Sequence, residues 1–133
     1  IYCLDPLVPQ FIKLGYPFKY YDKRAIYIAG CAEKLPFMDK SFDAIISLNA
    51  LDHVDNFSLM AKEIERVASD DCLIRLNISY HSATVLEPLE LNDRIVKENF
   101  QWCHRFKKIM ELPQTSNDIG EIEVLNIWSN FNN

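Results

Sequence analysis

The sequence predicts an α/β fold, a mainly parallel sheet closed by an antiparallel C-terminal hairpin. Three observations lead there. Apolar, strand-like runs at 1–4, 25–29, 42–48 and 72–80 are interspersed with helical segments, the pattern of βαβ units. The centre of the third run, Ala44-Ile45-Ile46, does not alternate, as expected of a parallel strand covered on both faces. The last two strand-like segments, 106–112 and 121–131, are joined only by the turn-rich stretch 114–120, so they must run antiparallel.

The elements follow in order. The run 1–4 stops at Asp5-Pro6, which reads as a strand end and a break. Segment 9–14 suits a short helix ended by Gly15; Pro9 argues against one continuous from Asp5. The aromatic and basic stretch 16–24, with Pro17 inside it, reads as loop or irregular helix. Segment 25–29 is a strand ending at Gly30, 31–41 a connection, and 42–48 the next strand. The clearest helix is 58–68, where Met60, Ile64, Val67 and Ala68 share a face; Asp55, Asn56 or Ser58 would cap it. Its charged face is expected to be solvated surface. Segment 72–80 alternates Ile74, Leu76 and Ile78 with Arg75, Asn77 and Ser79, a strand with one polar face. Residues 92–100 suit a helix capped by Asn92.

Composition narrows the function. The 133 residues make one domain, 1–133, with 49% hydrophobic and 25% charged residues. A net charge of −5 without a basic stripe argues against a nucleic-acid partner. No apolar run approaches the roughly 20 residues that span a bilayer, so no membrane partner is expected. Cys3, Cys31, Cys72 and Cys103 lie far apart, without the paired spacing of a zinc site, so no metal is expected; they read as buried free thiols of a reducing, cytoplasmic protein. Three glycines, Gly15, Gly30 and Gly120, do not compose a Gly-rich phosphate loop. The opening Ile1-Tyr2-Cys3-Leu4 is already strand-like, as if the chain began inside a fold.

Three stretches carry a resemblance: Gly30-Cys31-Ala32-Glu33-Lys34-Leu35-Pro36-Phe37, then Asp39-Lys40-Ser41-Phe42-Asp43-Ala44-Ile45-Ile46-Ser47, then Leu51-Asp52-His53-Val54. With Glu63-Ile64-Glu65-Arg66-Val67 behind them, they resemble the class I S-adenosylmethionine-dependent methyltransferases, specifically the type 11-like domains. The resemblance implies a Rossmann-like methyltransferase sheet with its first strand and Gly-rich turn absent from this chain. It also implies S-adenosylmethionine across the C-terminal ends of the strands. Ser69-Asp70-Asp71 stands where the family often has a Pro-Gly-Gly turn.

On that map Asp5, with Pro6, would hold the ribose hydroxyls; the alternative is a turn cap before Pro6. Cys31, Ala32 and Glu33 would lie by the adenine, although Cys31 replaces a frequent Asp and is a weak acceptor. Leu7 and Leu35 would sandwich the ring or belong to the core. Ser47, Asn49 and Ala50 would meet the methionine part and the acceptor. His53 is a candidate general base, or an anchor for the loop before the helix; His81 is a second candidate, or an exposed loop histidine. Residues 82–105 would shape the acceptor pocket, and Trp102 and His104 would anchor the last hairpin.

The sequence therefore implies methyl transfer to a small-molecule acceptor at O, N or C. The alternatives are a catalytically inactive interaction module on the same fold and, against the terminal hairpin, a nicotinamide-dependent enzyme. Open strand edges where a central strand is missing imply instability or homo-oligomerisation.

Overall fold

The computed structural model describes residues 1–15, 24–113 and 124–131. Tyr2–Leu4 forms β1 and Val8–Lys13 forms α1, with Pro9 in the first turn, where a missing N–H breaks no helical bond. Gly15, at φ +73°, takes the left-handed conformation that ends the helix. β2 is Ile26–Ile28 and pairs with β1 in parallel, Tyr2 opposite Ile26. Then come β3 (Phe42–Leu48), α2 (Phe57–Val67), β4 (Ala68–Tyr80), α3 (Asp93–Asn99), β5 (Lys107–Pro113) and β6 (Val124–Ser129). The expected loop at 16–24 falls almost wholly on residues outside those described, as do the linker 114–120 and the first residues of the last strand.

β3 runs parallel to β4, β4 antiparallel to β6, and β6 antiparallel to β5, giving the order β3-β4-β6-β5. The terminal hairpin is thus antiparallel, as its short link requires. Both caps form: Asn56 accepts from Leu59 N–H at 3.0 Å, and Asn92 from Ile95 N–H at 3.1 Å. The core lies where α2 presents Met60, Ala61 and Ile64 to Ile74, Leu76 and Ile78 of β4. It extends through Val96 and Phe100 to Phe106 and Trp128, whose rings stack at 4.8 and 5.6 Å.

Two expectations are corrected. β3 is not covered on both faces: Ile46 is 65% and Leu48 66% exposed. Among the described residues β3 has only β4 as a partner; β1 and β2 form a separate two-stranded sheet, and the two sheets share no ladder. Contact between them is aromatic: Tyr2 meets Phe37 and Phe42 edge-on at 5.3 and 5.9 Å. Secondly, Ser69-Asp70-Asp71 makes no separate turn. α2 passes directly into β4, with a register shift between Phe42 and Ala44 absorbing the junction. Lys40 pairs with Asp70 at 2.7 Å, and Ser69 donates to Asp43 at 3.0 Å.

Candidate functional site

Parallel strands put all their C-terminal ends on one side, so the loops that follow β1, β2 and β3 converge. Between the two sheets lies a cleft of about 730 Å³, within the roughly 300–1,000 Å³ common for small-molecule sites. Part of its lining is apolar, from Tyr2, Leu4, Phe42, Ile46 and Leu48. Its lining includes all ten residues expected around a cofactor: Asp5, Pro6 and Leu7 after β1, Cys31, Ala32, Glu33 and Leu35 after β2, and Ser47, Asn49 and Ala50 at the end of β3. His53 lines it too.

Hydrogen bonds fix these loops. Asp5 accepts from Leu7 N–H at 2.7 Å through Oδ1, the turn-capping role, and its backbone N–H donates to the Ile28 carbonyl at 3.1 Å. Its Oδ2 has no partner among the described residues. Asn49 sits at φ +51°, a conformation asparagine tolerates better than most residues. Its N–H donates to the Asn77 carbonyl at 3.0 Å and its Oδ1 accepts from Ser79 at 2.6 Å, tying the end of β3 to β4. Glu33 Oε1 accepts from the N–H groups of Asp55 and Asn56 at 2.7 and 3.2 Å, joining the loop after β2 to the start of α2. Cys31 lines the cleft and is exposed rather than buried.

The charged face of α2 is more than solvated surface, which corrects the expectation. Arg66 donates to the carbonyls of Phe37 and Leu35 at 2.8 and 3.0 Å and to Asp39 at 2.8 Å. It forks onto Glu63 at 2.8 and 2.7 Å. Glu63 in turn accepts from Leu35 N–H at 2.8 Å. The Arg66 guanidinium holds the Glu63 carboxyl below its ordinary range, aided by Leu35 N–H and opposed by burial. The pair clamps residues 35–39 against the helix, and so positions the Leu35 wall of the cleft.

The two histidines part company. His53 Nδ1 lies 3.0 Å from the Leu86 carbonyl. A carbonyl only accepts, so Nδ1 carries the proton and Nε2 is the free base position, 3.7 Å from Glu87 Oε1. The His81 side chain is only 3% exposed and does not line the cleft. It is a buried ring, not an exposed loop histidine, since the loop after β4 folds back over it. Its Nδ1 donates to the Ser82 carbonyl at 2.8 Å, and Nε2 faces Asp52 Oδ2 at 3.1 Å and Glu87 Oε2 at 3.8 Å. Burial favours the neutral ring, but the Ser82 carbonyl and the Asp52 and Glu87 carboxylates together outweigh it and raise the His81 pKa. Asp52 and Glu87 gave no signal in the sequence, because only the fold brings 52, 81 and 87 together.

This order of strands, with loops from successive parallel strands meeting at one cleft, is the class I methyltransferase architecture. The sequence matches the family described as "Methyltransferase domain" over residues 10–75, and the chain belongs to that family, whose cofactor is S-adenosylmethionine. A demethylmenaquinone methyltransferase of Roseiflexus sp. (strain RS-1) is 43% identical over 65 residues, 49% of this chain and 26% of the relative. The chain thus spans about a quarter of that curated relative. Among solved structures, the YcgJ protein from Bacillus subtilis superposes with a TM-score of 0.73 at 16% identity, over 96% of this chain and 80% of the other. The 1,6-didemethyltoxoflavin-N1-methyltransferase of Burkholderia thailandensis, solved with 1,6-didemethyltoxoflavin and S-adenosylhomocysteine, gives 0.62 at 15% identity, over 96% and 60%. No helix among the described residues is long and apolar enough to cross a membrane.

Proposed function

We propose that this chain takes part in S-adenosylmethionine-dependent methyl transfer to a small-molecule acceptor, with the cofactor at the mouth of the cleft. The observation that carries the reading is the convergence of three post-strand loops, the first bearing Asp5 at a strand end, on a single hollow. The donor set suits the ligand: a carboxylate oxygen without a partner among the described residues for vicinal hydroxyls, apolar walls for a flat heterocycle, and carbonyls and an amide for a charged amino-acid end. When bound, the cofactor supplies a methyl group activated on a sulfonium.

The residues would then divide the work. Asp5 accepts from the ribose hydroxyls, while Pro6 stiffens its loop. Leu7 and Leu35 flank the adenine, with the Cys31 thiol and Ala32 backbone at its edge; Glu33 keeps that loop in place. Ser47, Asn49 and Ala50 border the methionine part and the acceptor. Catalysis is chiefly alignment and exclusion of water, and His53 Nε2 takes the proton of a hydroxyl or ammonium acceptor. His81 is a positioning residue, holding the turn that carries His53 through Asp52. Isothermal titration of the chain with S-adenosylmethionine and S-adenosylhomocysteine tests the reading. Heat of 1:1 binding is expected, with Asp5→Ala weakening affinity at least about tenfold, the loss for a hydrogen bond to a charged group. Absence of binding to both ligands overturns it.

Two observations favour a second reading, an interaction module without activity. The apolar edge of β3 is exposed, and Cys31 stands where an adenine-binding acid is frequent. A chain that binds neither ligand, even as Cys31→Asp, would be such a module.

A further inference from the structure

Behind the cleft wall, three ligand-type side chains from separate stretches meet at one point: Asp52 after β3, His81 after β4 and Glu87 ahead of α3. One ligand atom from each lies within 4.8 Å of the other two. We propose that Asp52, His81 and Glu87 form a binding site for a divalent transition-metal cation of the zinc class, with one coordination position left open.

Distances support it first. Tetrahedral ligands at about 2.0–2.2 Å from a zinc-class ion stand roughly 3.3–3.6 Å apart. His81 Nε2 lies 3.1 Å from Asp52 Oδ2 and 3.8 Å from Glu87 Oε2, on either side of that figure. The Asp52 and Glu87 oxygens lie within 4.8 Å of one another, so the two carboxylates would draw together on the ion.

The ring orientation is the second argument. With Nδ1–H committed to the Ser82 carbonyl, the other ring nitrogen points at two carboxylates. Metal-bound histidines are commonly oriented in this way, by a carbonyl acceptor on the far nitrogen. A proton on Nε2 would satisfy Asp52 Oδ2 alone, since Glu87 lies beyond hydrogen-bond reach. A cation would serve all three.

Burial is the third. Asp52 is wholly buried, and its Oδ1 has no hydrogen-bond partner among the described residues. Such an orphaned carboxylate oxygen is costly unless a charge compensates it. Glu87 is held in place beforehand: its N–H donates to Thr84 Oγ1 at 3.0 Å and its carbonyl accepts from Thr84 N–H at 2.9 Å. One nitrogen and carboxylate oxygens match Zn²⁺, Mn²⁺ or Co²⁺ better than thiophilic ions. On binding, Nε2 coordinates in its neutral form and any proton it carried passes to solvent.

The test is titration of chelator-treated protein with Zn²⁺, followed by calorimetry and by the ring ¹⁵N resonances of His81. The expected result is one ion per chain, with His81 Nε2 shifted and Nδ1 still protonated. Asp52→Asn and His81→Gln should each weaken binding at least about tenfold, while His104→Gln, at an exposed residue outside the cluster, leaves it unchanged. The wild-type ring spectrum gives an answer even if Asp52→Asn fails to fold. No uptake, an unmoved His81 ring at saturating Zn²⁺, or loss of binding with His104→Gln overturns the proposal. Because the readout involves no nucleoside ligand, failure here leaves the methyl-transfer reading standing, and the reverse also holds.

Discussion

Cys31 is the residue where the chemistry of this cleft departs furthest from a well-furnished adenosine site. A thiol is a weak hydrogen-bond acceptor, yet Cys31 lies exposed at the mouth beside Ala32 and Glu33. Cys31→Asp should restore a carboxylate acceptor for an exocyclic amine and tighten S-adenosylhomocysteine binding about three- to tenfold, the range for one net hydrogen bond. Calorimetry on the two proteins decides it; equal affinities would place the adenine elsewhere. At this scale the sequence was only partly informative. The position of Asp5 at a strand end was legible, because Asp5-Pro6 breaks the first apolar run. The burial of His81 was not, since its partners lie 29 and 6 positions away along the chain and nothing local marks them.

At the scale of elements, the clamp between α2 and residues 35–39 governs one wall of the cleft. Glu63 has a folded pKa below its ordinary value of 4.5 because Arg66 bonds its charged form. The sign follows from linkage: a depressed carboxyl pKa contributes stability that is complete above the unfolded value and is lost as pH falls through the folded one. Glu63→Ala should therefore cost about 1–2 kcal/mol near neutral pH. The gap between variant and wild type should narrow below about pH 4.5. Urea melts from pH 3 to 7 measure it, and a gap independent of pH would contradict the clamp. Removing the Asn56 cap in Asn56→Ala should cost about 1 kcal/mol, independent of pH across that window.

Periodicity revealed the elements because it records burial. Met60 and Ile64 at helical spacing, and Ile74, Leu76 and Ile78 at strand spacing, face one another in the core. The clamp left no such trace: Arg66 binds the backbone carbonyls of Leu35 and Phe37, and any residue has those. Likewise Asp70 and Asp71 suggest a turn by composition, yet they lie on the exposed start of a strand where an ion pair from Lys40 replaces turn chemistry.

For the whole molecule, the missing ladder between the two sheets is decisive. Among the described residues β1 and β3 each present an unpaired edge, and β3 shows Ile46 and Leu48 largely to solvent. Exposed apolar edges recruit further strands. Light scattering on the chain should give a mass above the 15.5 kDa of one copy, rising with concentration. Ile46→Lys should lower it by placing a charge on that edge. A monomer at every concentration would show that the edges are quiet. The apolar content of 42–48 was legible, but not its exposure, because a non-alternating run reads the same whether its second neighbour is present or absent.

The central claim is that the segments after β1, β2 and β3 meet around one adenosine-shaped ligand. The most direct measurement is the ¹H–¹⁵N spectrum of the chain during titration with S-adenosylhomocysteine. Amides at 5, 7, 31–35 and 47–50 should move together along a single binding curve, with those of β5 and β6 unmoved. Shifts confined to the terminal hairpin, or a spectrum unchanged at millimolar ligand, would contradict the account.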